Sequence, residues 1–207
     1  MTRRRALLLV ALGVLLVPVG RLVFDIVTYP SDRTPEGAYF RVVSAVNNRR
    51  AAQAFPYTET AAQHACYTIR DYRRQAHDRI LAAYPAEEGE AWLAAHAEEA
   101  LAPDGSDVFA IYARRHGWLD LLRRDLSGVA QVTVEGDRAT VQTVRGTRYS
   151  FRRRENGIWG LTQFTALLVA EAEKAARDAA MIERAAADYE RVRAQRAASG
   201  AASAAPR

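Results

Sequence analysis

Cysteine and lysine are nearly absent from the 207 residues: Cys66 and Lys174 are the only ones. With one thiol the chain forms no intrachain disulfide and builds no cysteine metal site. Arginine and alanine are abundant instead, a bias of coding composition rather than of chemistry. Motifs are lacking too. There is no glycine-rich phosphate loop, no Gly-x-Ser-x-Gly nucleophile turn and no paired-cysteine pattern, so nothing points to a cofactor. Charge of one sign is also scarce where it matters. Of 29 basic and 24 acidic residues, positions 1–27 hold four arginines and one aspartate, which leaves 25 against 23 for the rest. A nearly neutral body argues against a nucleic-acid partner.

Long apolar runs occur once. "MTRRRALLLVALGVLLVPVGRLVFDIV" opens with three arginines, continues apolar from Ala6 to Val19, and resumes after Arg21. A cationic start before such a run has the form of an export signal. No Ala-x-Ala cleavage site is evident, and no cysteine follows for lipid attachment. Ala6–Val27 reaches the roughly 20 residues of a membrane span if Arg21 snorkels to the interface. Residues 1–27 therefore read as a signal-anchor whose partner is the bilayer, through residues 6–27. The arginines hold the N-terminus in the cytoplasm and the remainder outside. Cleavage to a secreted or periplasmic form and a buried helix of a soluble protein are the alternatives.

A short turn-rich linker covers 28–34. Thr34-Pro35-Glu36 then predicts a helix start, and Tyr39, Val42, Val43 and Val46 its buried face. "FPYT" ends that helix. Thr58 is placed to cap the next, which reaches about Tyr84 with Ala62, Cys66, Ile69, Tyr72, Ala76 and Ile80 in phase. A weaker helix covers about 87–101 with Trp92 and Leu93. Another follows "PDGSD" with Val108, Phe109, Ile111 and Tyr112, and Gly117 suits its end. "WLDLLRRDL" is a short helix or turn.

At Val129 the period changes to two. Gly136, Gly146 and the Asn156-Gly157 pair punctuate it, and Asn-Gly is the strongest short hairpin signal. Four antiparallel strands are expected near 129–135, 138–144, 147–154 and 158–163. Ala130, Val132 and Val134 are expected on the core face with Tyr149, Phe151 and Trp159. From Thr165 to Arg196 neither proline nor glycine occurs. Leu168, Ala172, Ala175, Ala179, Ile182, Ala186 and Tyr189 recur at alternating steps of four and three, a heptad seam to be covered by the domain itself, by a second copy or by a partner helix. The tail 197–207 is expected to be disordered. The fold class is thus α+β: a membrane helix, helices followed by a four-stranded antiparallel meander, then a long C-terminal helix.

The leading helix "TPEGAYFRVVSAVNNRRAAQAF", the further helices, and the meander with "VEGDRATV" and "GIWGL" resemble the nuclear transport factor 2-like superfamily over residues 35–164. The resemblance implies a cone, with a sheet wrapped round the first helix. Enzymatic members, steroid isomerases and dehydratases, carry acid–base residues inside it. None of their motifs matches here residue by residue, and no catalytic role carries over. The helical stretch 58–126 and the final helix are longer than the family pattern.

His64 and Cys66 are two apart and point in different directions on a helix. His77, His96 and His116 lie on three helices, near Asp78, Glu98, Glu99 and Asp120, with no local convergence. In Arg152-Arg153-Arg154, alternation puts Arg152 and Arg154 opposite Phe151 and beside Arg148, a basic stripe for lipid headgroups or polyanions, set against a solvated sheet face. The expectation is a binding or scaffolding protein of the envelope. An enzyme using the cone interior and a coiled-coil component are the alternatives.

Overall fold

The computed structural model describes residues 30–203. The segment 1–27, with its expected bilayer contact, lies outside the described residues, as does 204–207. Among the described residues no helix is long and apolar enough to cross a membrane.

Helix α1 spans Pro35–Asn47, and the Thr34 hydroxyl accepts from the Gly37 amide at 3.1 Å. Tyr39, Val42 and Val46 are buried, with Val43 partly so. The helix stops well before "FPYT". Arg49 takes φ 54°, in the left-handed region, and the Asn48 side chain donates back to the Ser44 carbonyl at 2.8 Å. A short α2, Ala51–Ala54, and a 3-10 turn, Phe55–Tyr57, follow.

Helix α3 spans Thr60–Ala83. Thr58 does not cap it: its hydroxyl donates to the Phe55 carbonyl at 2.7 Å, and the residue pairs beside Leu161. Tyr72 is exposed, and Arg73 takes the buried position expected for it. The buried series is Ala62, Cys66, Ile69, Arg73, Ala76, Ile80 and Ala83, with Ala65 buried beside it. Helices α4 (Ala86–Ala100), α5 (Gly105–Arg115) and α6 (Trp118–Asp125) complete this half. A capping box between Asp104 and Asp107 starts α5.

Strands β1 (Val129–Glu135), β2 (Arg138–Thr143), β3 (Arg148–Arg153) and β4 (Trp159–Leu161) form one antiparallel sheet in sequence order. Ala139, Val141, Tyr149, Phe151 and Trp159 are buried. The phase expected for β1 needs correction. Val129 faces Thr143 but Gln131 faces Gln142, so Ala130 is the extra residue of a bulge. The bulge brings Val129 to the core face with Val132, both partly buried. Ala130 is exposed, and Val134 is 52% exposed on this edge strand. Gly160 lets β4 approach the chain before α3, because a Cβ there would lie 2.5 Å from the Thr58 carbonyl oxygen.

Helix α7 spans Thr165–Ser203, about 58 Å at 1.5 Å per residue. Residues 197–203, expected to be disordered, are helical. Alanine has the highest helix propensity and extends a helix already nucleated. Thr165 meets Glu59, Asp178 meets Arg73, Glu183 meets Arg79 and Arg193 meets Ala83. Helices α3 and α7 therefore lie side by side and parallel. Leu168, Ala172, Ala175, Ala179, Ile182 and Ala186 are buried and Tyr189 partly so. Of the coverings open to the seam, the structure shows the one within the chain: α3 lies along it through a matching four–three series.

Candidate functional site

Alternation fills the inner face of the sheet with side chains that pack on α1. The Tyr39 and Tyr149 rings lie 5.5 Å apart. The Tyr39 hydroxyl donates to the Ser127 carbonyl at 2.7 Å. Phe151, Trp159, Val141 and Ala139 occupy the rest of that face and belong to the main core. The polar atoms there are hydroxyls: Tyr149 Oη and Thr143 Oγ1 are buried without a protein partner. Burial pushes the Tyr149 phenol up to about 12, so it is protonated at neutral pH.

The outer face holds the arginines. Arg152 is tied to the body: its Nη1 donates to Glu59 Oε1 at 2.9 Å, and its Nε lies 3.8 Å from Asp137. The other oxygen of Glu59 accepts from the Thr165 hydroxyl at 2.8 Å. Glu59 is buried, so this is a clasp joining β3 to the starts of α3 and α7. Arg154 donates to the Pro56 carbonyl at 2.7 Å and is half-buried. Arg148 is exposed, opposite Gln142. The expected stripe is thus divided: Arg152 and Arg154 hold the segment before α3, and Arg148 faces water. Alternation alone could not show the segment 56–59 running beside β4 and offering a carboxylate. A recess of about 420 Å³ remains between Glu59, Arg138, Ser150, Arg152 and Thr162.

A third cluster was not anticipated. Arg73, on the buried face of α3, donates to Asp178 on α7 at 2.6 Å. Its guanidinium lies 5.8 Å from the Trp92 ring centroid on α4, and that ring lies 4.6 Å from His96. Glu99 of α4 is buried and accepts from Arg115 of α5 at 2.6 Å. Tyr112 donates to Glu171 at 3.3 Å. Arg73 Nε, Glu99 Oε2 and His96 Nδ1 are buried without protein partners. Four helices thus bring these polar groups into one cluster, within electrostatic reach of His96. His96 lies below its ordinary range, first through burial and then through Arg73; Glu99 and Asp178 oppose this. The available signal was the spacing 62, 66, 69, 73, 76, which passes through an arginine.

The remaining histidines and Cys66 do not converge on one another. His64 is exposed and Cys66 buried. His77 lies 3.1 Å from Asp78 at the surface. His116 stacks on Trp118 with centroids 5.6 Å apart. Among the described residues no group of three or more His, Cys, Asp or Glu side chains is placed to hold a metal ion. No family model, curated protein or solved structure matches the chain.

Proposed function

We propose that this is a membrane-anchored or exported envelope protein, with residues 6–27 in the bilayer and an outward-facing domain that binds or scaffolds rather than catalyses. The domain reading is nuclear transport factor 2-like, supported by helices followed by a sequential meander with α1 against its inner face. The observation that carries the non-enzymatic part is the packing of that inner face. Where an enzyme of this design needs converging acid–base groups, the chain places Tyr39, Val141, Tyr149, Phe151 and Trp159. The coiled-coil alternative loses support because α7 lies along α3.

Two measurements test this reading. A reporter active only outside the cytoplasm, fused after Arg207, is expected to give signal; activity of a cytoplasm-only reporter there overturns the topology. Tyr149→Phe removes a buried hydroxyl with no protein partner and is expected to leave stability equal or higher. A large loss instead means that the hydroxyl serves a ligand or solvent inside the sheet, and the enzyme reading returns.

A further inference from the structure

The ends of α3 and α7 remote from the sheet carry a ridge of Leu81, Tyr84 and Pro85 where α3 turns into α4. A groove of about 530 Å³ lies on one side, between α3 and α4, with Leu93 inside and Glu87 and Glu90 exposed along it. Gly89 permits this close pairing, since a Cβ there would meet Ile80 Cγ2 at 2.5 Å. A groove of about 670 Å³ lies on the other side, between α3 and α7, with Val192, Arg193 and Arg196. Leu81, Tyr84 and Pro85 line both. Leu81 is 63% exposed and Val192 43% exposed, a costly arrangement for side chains that gain by leaving water.

Much of the charge at this end is committed. Arg79 binds Glu183 and Glu190, Arg193 donates to the Ala83 carbonyl, and Tyr189 donates to Glu88. Glu87, Glu90 and Arg196 form no ion pair among the described residues. An apolar ridge with acid on one flank and base on the other is complementary to itself. Rotated half a turn about an axis along the ridge, the acidic flank of one copy meets the basic flank of the other, twice. That is the requirement of an isologous contact.

We propose that two copies of this chain associate through this end, Leu81 against Leu81, with Glu87 and Glu90 of each copy facing Arg196 of the other. The apolar ridge supplies the attraction. The exposed charges contribute little energy and set the register. This pairing stands whether or not residues 6–27 lie in a bilayer, and it does not use the heptad seam, which α3 covers.

The test uses the full chain in detergent micelles. Leu81→Cys adds an accessible thiol to a chain whose own Cys66 is buried. Mild oxidation is expected to convert most of it to a disulfide-linked pair, whereas Arg148→Cys on the sheet stays single. Glu87→Arg with Glu90→Arg sets like charges across the axis and is expected to abolish the cross-link. Adding Arg196→Glu restores opposite charges and is expected to recover it. Because these side chains are exposed, every variant should still unfold cooperatively, with at most a modest lowering where an acid leaves the first turn of α4. The proposal is overturned if Leu81→Cys cross-links no better than Arg148→Cys. It is equally overturned if charge reversal leaves the yield unchanged, or if the cross-link forms only to an amphipathic helix of another protein.

Discussion

Arg73 and Asp178 are joined at 2.6 Å across the seam between α3 and α7, with the arginine side chain 2% exposed and the aspartate 22%. The asymmetry in burial decides which partner can be lost. Asp178→Ala leaves a guanidinium buried beside Trp92 without its counter-ion. It is expected to cost about 3 kcal/mol, as breaking a buried pair does. Arg73→Met leaves a carboxylate that water can reach, and the unbranched side chain refills the seam. It should cost distinctly less, and a urea titration of both variants checks the order.

Arg152 and Phe151 are neighbours on β3 that point to opposite faces. Phe151→Ala removes a core ring and is expected to cost about 3–5 kcal/mol. A surface arginine would be expected to cost almost nothing, but Arg152 is the partner of the buried Glu59. Arg152→Ala is therefore expected to cost about 1–2 kcal/mol, toward the low end for stranding a buried acceptor because Arg152 itself is half in solvent. Denaturant midpoints for the two variants check both values. A cost for Arg152→Ala as small as that for Arg148→Ala would mean that the clasp carries no stability.

The contrast between those neighbours marks what was legible. Period two and Asn156-Gly157 placed the strands within a residue or two, and put Tyr149, Phe151 and Trp159 inside. The heptad spacing of α7 marks a buried seam but leaves open whether the domain, a second copy or another protein covers it; α3 does. The matching series on α3 was read through Tyr72 because an arginine at a core position contradicts hydrophobic periodicity. The bulge at Ala130 depends on how β1 pairs with β2, which no local pattern encodes. Glu59 reaches Arg152 across 93 positions. Contacts of that separation are set by the packed whole.

His96 gives the cluster a pH dependence. Burial and Arg73 hold its imidazole below the ordinary range, with Lys174 adding a smaller push and Glu99 and Asp178 opposing. The unfolded chain then binds the proton more readily than the folded one near pH 6.5. Stability is fully present above that pH, falls as pH drops through it, and levels off below the folded value. His96→Gln should flatten this part of the profile. Thermal midpoints measured for both proteins from neutral to mildly acidic pH provide the check, and parallel curves would remove His96 from the cluster's account.

Cys66 lies fully inside α3, and burial pushes its thiol up to about 12. Thiolate is the reactive species, so the folded chain at pH 8 should leave a thiol reagent such as Ellman's unreacted. One equivalent should react on unfolding in guanidinium. Rapid reaction of the native protein would mean that α3 and its neighbours open locally at little cost.

Ile182 tests whether α7 is held by its own chain. It packs with Ala76, Ile80 and Ala179, flanked by Tyr84, Trp92 and Leu93. The Tyr84 hydroxyl donates to its carbonyl at 3.3 Å. Ile182→Asp buries a charge near Asp178 and Glu183 and is expected to cost roughly 3 kcal/mol or more. Ala175 is also fully buried in the seam, where a small residue lets α7 approach α3. Ala175→Leu overpacks that contact and should cost about 1–3 kcal/mol, while Ala180→Leu on the exposed side should be neutral. Because α3 covers the seam, all three variants should keep the mass of the parent in sedimentation, and only the first two should lose thermal stability. A variant that keeps its stability but changes mass would mean that the seam joins separate chains. If neither changes, α7 does not depend on α3 at all.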